Sequence, residues 1–342
     1  MPRQNNKPKL LVIFGPTSSG KTRLAVKLAS KFNGEIVSAD SRQVYQGMDV
    51  GTGKDLQDYC LEFPITNNQL PNKFQIFSRS GVAMTNFKFQ TISKIIKVPY
   101  HLIDVVSPKK RFNLADYQKL AFKAIDDILK RGKLPILVGG SGLYLQAVVD
   151  NYRTLDTKPN LLLRKKLEKL DLDKLFSMLK KRAPGFAGRI NTSDKKNKRR
   201  LIRYLEILRQ GSIKLRTGGR IYQSLLIGII ISPKELKNRI SKRLIDRLEK
   251  QDMVGEVRRL RRQGLSWKRL ENFGLEYKFV SQYLQGKIDY QLMIELLNTA
   301  IGQFAKRQMT WFRRWERQGT KINWLRNEKQ AEKLVKNFIN NF

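Results

Sequence analysis

The sequence predicts an α/β protein in which a parallel sheet is covered by helices. Short apolar runs bounded by turn residues alternate with segments of helical period through the N-terminal half, the pattern of strand, crossover helix and strand. The first of these runs ends in a glycine-rich turn that opens a helix. At 342 residues the chain is long enough for one large or two modest domains around a buried core.

Taken in order, Leu10 to Phe14 is an apolar strand, Lys21 to Phe32 has helical spacing, and Glu35 to Ser38 is a second short strand. The stretch 55–99 breaks the rhythm. It is rich in Asn, Gln, Ser and Phe, carries Pro64 and Pro71, and is expected to be an irregular insertion of hairpins or loop lying on the core. His101 to Val106 and Leu134 to Val138 supply two more buried strands. Between them Asn113 caps a helix that places Leu114, Tyr117, Ala121, Ile125 and Ile128 on one face and closes at Gly132. From Lys158 to Lys181 the texture is short charged helices, broken at Ala183-Pro184-Gly185. Asn197 to Arg209 is an amphipathic helix with Leu201, Tyr204, Leu205 and Leu208 inward and Arg199, Arg200 and Arg203 outward. Leu225 to Ile231 returns to strand, and Ser232-Pro233-Lys234-Glu235 starts a helix reaching to about Gln251. Beyond it the chain is helical and basic to Trp315, then a strand at Ile322 to Leu325 and a terminal helix. The expected domains are a core at 1–150 with the insertion, a helical insertion subdomain at 151–196, and a segment at 197–342 that returns to the sheet and adds a basic helical part.

Lys and Arg number 68 against 29 Asp and Glu, a formal charge of +39. An excess that large calls for a polyanion, either nucleic acid or an anionic membrane surface. One cysteine, Cys60, and one histidine, His101, exclude a disulfide scaffold and a zinc site of several Cys and His ligands. The polar start and the short first apolar run are unlike a signal peptide, and no run is long enough to span a membrane, so an intracellular setting is expected.

Gly15-Pro16-Thr17-Ser18-Ser19-Gly20-Lys21-Thr22 has Walker A spacing, follows a strand and opens a helix. Backbone N–H groups and the helix N-terminus wrap a phosphate there, Lys21 neutralises it, and the Thr22 hydroxyl can hold Mg²⁺. The core is therefore of the P-loop NTPase-like kind. A kinase or ATP hydrolase is the default for such a motif, with Asp104 of His101-Leu102-Ile103-Asp104 as magnesium ligand. Asp40, at the end of a strand taken to lie beside the P-loop strand, faces the same crevice and is a candidate general base, or else a cap on the turn Ser41 to Val44.

These residues resemble the tRNA dimethylallyltransferases, or isopentenyltransferases. The resemblance is carried by the P-loop block, by Ser38 to Tyr45 followed by Gly47 to Lys54, and by His101 to Asp104. It continues through Leu137 to Tyr144, Arg200 to Glu206, Gly274 to Tyr277 and Ala305 to Phe312, in the family's order over nearly the whole chain. It implies prenyl transfer from dimethylallyl diphosphate to N6 of adenosine 37, beside the anticodon of tRNAs that read codons starting with U. On that resemblance Asp40 is the base, and Lys21, Thr22 and Mg²⁺ hold the leaving diphosphate, with Arg239 reaching the same group. Asp40, Ser41, Arg42, Gln43, Ser141 and the stretch Arg199, Arg200, Leu201, Ile202, Arg203 touch the anticodon stem-loop. Gly274 to Lys278 and Lys306 to Arg314 are RNA-facing or structural. A cytoplasmic monomer is implied. Ser141 stands where the family has threonine, Gly53 and Asp55 stand where it commonly has alanine and proline, and the stretch from Lys54 to His101 is longer than usual.

Other readings are weighed beside it. A free-nucleotide isopentenyltransferase shares the P-loop and the aspartate but needs no basic RNA surface, against which stand Lys195 to Arg203, Arg258 to Arg269 and Lys306 to Arg317. The kinase reading needs Asp104 on a metal, and an RNA-binding protein with a relic P-loop fits poorly with an intact Lys21, Thr22 and Asp40. Trp311 and Trp315, four apart on one helix, are expected in the core, His101 as a satisfied polar group, and Cys60 as inert.

Overall fold

The strand that ends in the P-loop is buried on both faces, and its side chains alternate between two cores. The computed structural model describes residues 7–64, 93–152, 160–209 and 218–340. Along the chain the elements begin with β1 (Lys9–Phe14), α1 (Lys21–Lys31), β2 (Gly34–Ser38), β3 (Cys60–Pro64), β4 (Ser93–Lys97), β5 (Tyr100–His101), α2 (Leu114–Lys130), β6 (Leu134–Gly139) and α3 (Gly142–Val149). Five short helices come next: α4 (Leu161–Leu167), α5 (Leu172–Arg182), α6 (Pro184–Arg189), α7 (Thr192–Lys195) and α8 (Lys198–Arg209). The chain ends with β7 (Gln223–Ile229), α9 (Pro233–Glu249), α10 (Met253–Arg262), α11 (Trp267–Asn272), α12 (Leu275–Leu284), α13 (Tyr290–Arg317), β8 (Asn323–Leu325) and α14 (Glu328–Asn340).

These elements form two compact units, one of Met1–Val149 with Arg220–Phe342, the other Asp150–Gly219. The first unit is built on a parallel sheet of order β5-β2-β6-β1-β7-β8, in which Leu11 lies opposite Ile136 on one side and Leu225 on the other. Leu10, Val12 and Phe14 pack against Tyr117, Ala121 and Ile125 of α2 and against Phe312 and Trp315 of α13. Leu11 and Ile13 pack the other way, against Ala25, Val26 and Leu28 of α1 and Ala331 and Val335 of α14. The two-residue period of a strand thus puts helices on both faces of the sheet. A further core joins Val44, Tyr45 and Met48 to the helices α9 to α13. The Asn113 cap closes a full capping box with Asp116, and Ser232 accepts from the Glu235 N–H at the start of α9.

Three expectations are corrected. The strand at His101 to Val106 stops at His101, because Leu102 and Asp104 take left-handed backbone angles of 66° and 57°, leaving one bridge from Val106 to Tyr45. The helical subdomain does not end at 196. Helix α8 buries Leu201, Ile202 and Leu205 against Leu167, Leu175, Leu179 and Ile190, so that stretch belongs to the second unit, which runs to Gly219. The strand of Asp40 is not the neighbour of the P-loop strand, since β6 stands between β2 and β1. Of the insertion, β3 and β4 pair antiparallel with Cys60 opposite Lys97, and residues 65–92 lie outside the described residues. Among the described residues no helix is long and apolar enough to cross a membrane.

Candidate active site at the strand ends

The turn after β1 runs into α1 with Ser18 and Gly20 in left-handed conformation, φ 59° and 83°. Gly20 precedes the first helical residue and offers no side-chain cap, so the first N–H groups of α1 are open to an anion. Gln308 of α13 ties this turn to the next. Its Oε1 accepts from Thr17 N at 2.8 Å, and its Nε2 donates to the Gly140 carbonyl at 2.9 Å. Lys21 donates to the Pro16 carbonyl at 3.3 Å. Burial pushes its ammonium down to about 8; Asp40 opposes that shift, and Arg243 and Arg247 add to it.

Asp40 follows the end of β2, and its Oδ1 accepts from Arg42 N at 2.9 Å. One carboxylate oxygen thus caps the local turn while the residue also lines a pocket with Lys21 and Thr22, so the base and cap readings are compatible. The intervening strand sets Asp40 two strand spacings, about 10 Å, across the sheet from the P-loop strand. Ser141, in the turn after β6, accepts from Ser41 N at 3.0 Å. Gln43 donates to the Gly53 carbonyl at 2.9 Å, and Arg42 donates to the buried Glu276. The Gly47–Lys54 loop is held from beneath by Glu256, which accepts from the N–H groups of Asp49 (2.8 Å), Val50 (2.8 Å) and Gly51 (3.1 Å) and from the Tyr277 hydroxyl (2.7 Å).

The pocket of about 50 Å³ is lined by Lys21, Arg42, Arg243 and Arg247 against the carboxylates of Asp40 and Glu276. Arg239 is not among these residues. It pairs with Glu235 on the exposed face of α9 and lines a separate cavity of about 610 Å³ with Ser19, Gly20 and Arg23. The arginines that enter the Lys21 pocket are those one and two turns further on, an assignment the sequence reading missed. Arg239, Arg243 and Arg247 recur every four residues, each followed by a buried Ile240, Leu244 or Leu248. That basic stripe beside an apolar one is the signal that could have found them.

Asp104 does not line the pocket. It is paired with the buried Lys54, which also reaches Asp49 at 2.9 Å, so the magnesium role that the kinase reading gave it has no support here. His101 bonds Glu35 at 2.8 Å, a satisfied polar group. Trp315 is buried against Phe14 and Trp311 packs on the same core. In the second unit Arg200 pairs with Asp194 and Arg203 with Glu206, both arginines part exposed, while the side chains of Leu201 and Ile202 are buried in that unit's core. Glu276 and Tyr277 are buried and structural, whereas Lys306, Arg307, Arg313 and Arg314 are exposed on α13.

A family model described as IPP transferase matches residues 90–315, and one described as isopentenyl transferase matches residues 8–62. The tRNA dimethylallyltransferase 1 of Syntrophus aciditrophicus is 42% identical over 93% of this chain and 94% of its own length. That of Geotalea uraniireducens is 39% identical over 96% and 97%. The crystal structure of a tRNA isopentenylpyrophosphate transferase from Bacillus halodurans, 32% identical, covers 97% of this chain and 96% of its own with a TM-score of 0.61. A eukaryotic dimethylallyltransferase acting on tRNA shares the fold at a TM-score of 0.72 and 23% identity, over 98% of this chain and 80% of its own.

Proposed function

The chain belongs to the IPP transferase family and is a tRNA prenyltransferase, and from that premise we propose that it moves the dimethylallyl group of dimethylallyl diphosphate to N6 of adenosine 37 beside the anticodon. The tRNAs it takes are those reading codons that start with U, and the products are N6-(dimethylallyl)adenosine and diphosphate. The observation that carries this reading is that the Asp40 carboxylate and the P-loop residues Lys21 and Thr22 line one pocket.

The chemistry rests on their charges. As the allylic carbon–oxygen bond breaks, its electron pair stays with the bridging oxygen, and Lys21 with the open N–H groups of α1 stabilises that oxygen and its phosphates. The adenine amine is a weak nucleophile. Asp40 orients it through an N6–H hydrogen bond and takes the proton as the carbon–nitrogen bond forms. Thr22 and Asp40 line the same pocket, and the hydroxyl of Thr22 is a hard oxygen donor of the kind that would hold Mg²⁺, an ion usually bound through one or two protein oxygens plus phosphates. When bound there, Mg²⁺ supplies further charge to neutralise the diphosphate. The target base must be drawn out of its loop, with exposed basic side chains such as Lys306 and Arg307 on the backbone. A tRNA substrate supports a cytoplasmic setting.

The test is incubation with dimethylallyl diphosphate, Mg²⁺ and undermodified tRNA, followed by nucleoside digestion and mass analysis. N6-prenylated adenosine is expected. Product from AMP but none from tRNA would favour the free-nucleotide enzyme, and ATP turnover without prenyl transfer would favour a kinase.

A further inference from the structure

Arg247 is a cation without enough partners. Its residue is 6% exposed, and its Nε and Nη2 have no hydrogen-bond partner. The nearest carboxylates stand at ion-pair distance only, Asp55 at 3.7 Å from Nη2 and Glu276 at 3.8 Å from Nη1. Buried polar groups are nearly always bonded, so two orphaned donors on a buried guanidinium call for an acceptor that the protein itself does not provide.

The surroundings say what kind of acceptor fits. Arg247 lines the pocket that holds Lys21 and Thr22, where four cationic side chains face two carboxylates. Burial first, and then Arg243, push Arg247 down to about 10. Asp55 is shared, since Arg243 donates to the same carboxylate oxygen. The backbone makes room for the guanidinium at Gly53: a Cβ there would lie 2.1 Å from Nη2, and the residue has φ 68°.

We propose that Arg247 is a second diphosphate ligand, its guanidinium donating to the phosphate oxygens of the prenyl donor in the pocket that Lys21 also lines. In the transfer it holds the group that departs. The allylic carbon–oxygen bond breaks, the electron pair goes to the diphosphate oxygen, and the fixed guanidinium meets the charge that develops there. The assignment rests on the reading of this pocket as the donor site.

Calorimetric titration with inorganic diphosphate, run beside the tRNA prenylation assay, tests it. Arg247→Met removes the charge and keeps an apolar stem. It is expected to weaken diphosphate binding about tenfold or more, the worth of a hydrogen bond to a charged group, and to raise KM for the donor with KM for tRNA unchanged. Gly53→Ala provides a second route, because its methyl would lie 2.1 Å from Nη2 of Arg247 and 2.7 Å from Nη2 of Arg243 and would displace both: a loss at least as large is expected. Diphosphate affinity within twofold of wild type in a folded Arg247→Met protein would overturn the assignment. If that variant fails to fold, undiminished affinity in Gly53→Ala would do the same. A wild-type protein that binds diphosphate but prenylates no tRNA would instead strike the family reading and leave the Arg247 contact standing.

Discussion

Raising the pH should release the prenyl donor at a point set by Lys21. Its ammonium is pushed down from 10.5 to about 8 by burial, with Asp40 acting against the shift and Arg243 and Arg247 reinforcing it. An anionic ligand favours the charged lysine, so affinity is full below pH 8 and is lost as pH rises through that value. A lysine titrating at about 8 is roughly nine-tenths charged at pH 7 and one-tenth at pH 9, whereas an ordinary one stays almost fully charged at pH 9. Donor affinity is therefore expected to fall about tenfold between pH 7 and 9. The assay is binding of dimethylallyl diphosphate with no tRNA present, so that no reaction intervenes. The donor's own last proton leaves near pH 6, below this window. In turnover, kcat/KM for the donor should show the same limb, and kcat should hold to higher pH because bound diphosphate raises the lysine again. Lys21→Arg should abolish the limb, and Arg243→Gln, by removing one repelling cation, should move its midpoint up. Affinity that stays flat to pH 9, or a limb that survives in Lys21→Arg, would refute the reasoning.

Three more outcomes are expected. Asp40→Asn should lower transfer by about 10²- to 10⁴-fold, read as prenylated adenosine by mass, while tRNA binding in a filter assay persists; near-normal turnover would remove Asp40 from the base role. Glu35, 2% exposed, is held down to about 2 by Arg131 first and then by Lys133 and His101 against the cost of burial. Its folded value lies below its unfolded one, so its stabilisation is present above about pH 4.5 and fades as pH falls through 2. Glu35→Gln should cost about 2–3 kcal/mol at neutral pH, below the usual range for a broken buried pair because Arg131 and Lys133 reach solvent, and should flatten this part of the acid profile in denaturant titrations. Affinity for tRNA should fall steeply with salt as phosphate contacts release counterions, and a salt-independent affinity would contradict a basic RNA face.

The sheet was legible because its signals are local. Leu10 to Phe14 is an unbroken apolar run, which only a strand covered on both sides can bury, and Walker A spacing fixes the turn and the helix start that come after it. Asn113, Gly132 and Ser232 mark helix ends by chemistry confined to a few residues. Strand order was not legible in the same way. The strand β6 inserts between β2 and β1 although it comes far later in the chain, and the apolar pattern of β2 is the same whichever neighbour it takes. Helix α8 failed differently. Its amphipathic period was right, but a period says that one face is buried and not against what, and its partners proved to be Leu167, Leu175 and Leu179 rather than the sheet.

The pocket was legible where one segment carries the chemistry and illegible where charge balance spans the chain. Lys21, Thr22 and Asp40 sit at strand ends that the sequence itself announces. Arg243 meets Asp55 across 188 residues, and no local pattern joins them. The sequence did, however, register a disturbance at the right place. Gly53 and Asp55 are the two positions where the Gly47–Lys54 block and its next residue depart from the resembled pattern, and each has a physical partner in Arg247: one leaves space for its Nη2, the other stands 3.7 Å from it. An alanine methyl at 53 would occupy the guanidinium's position, and a proline at 55 would leave the two arginines without their shared carboxylate. Two departures that look independent along the chain are thus joined by one buried cation, on the wall of the pocket that Lys21 also lines.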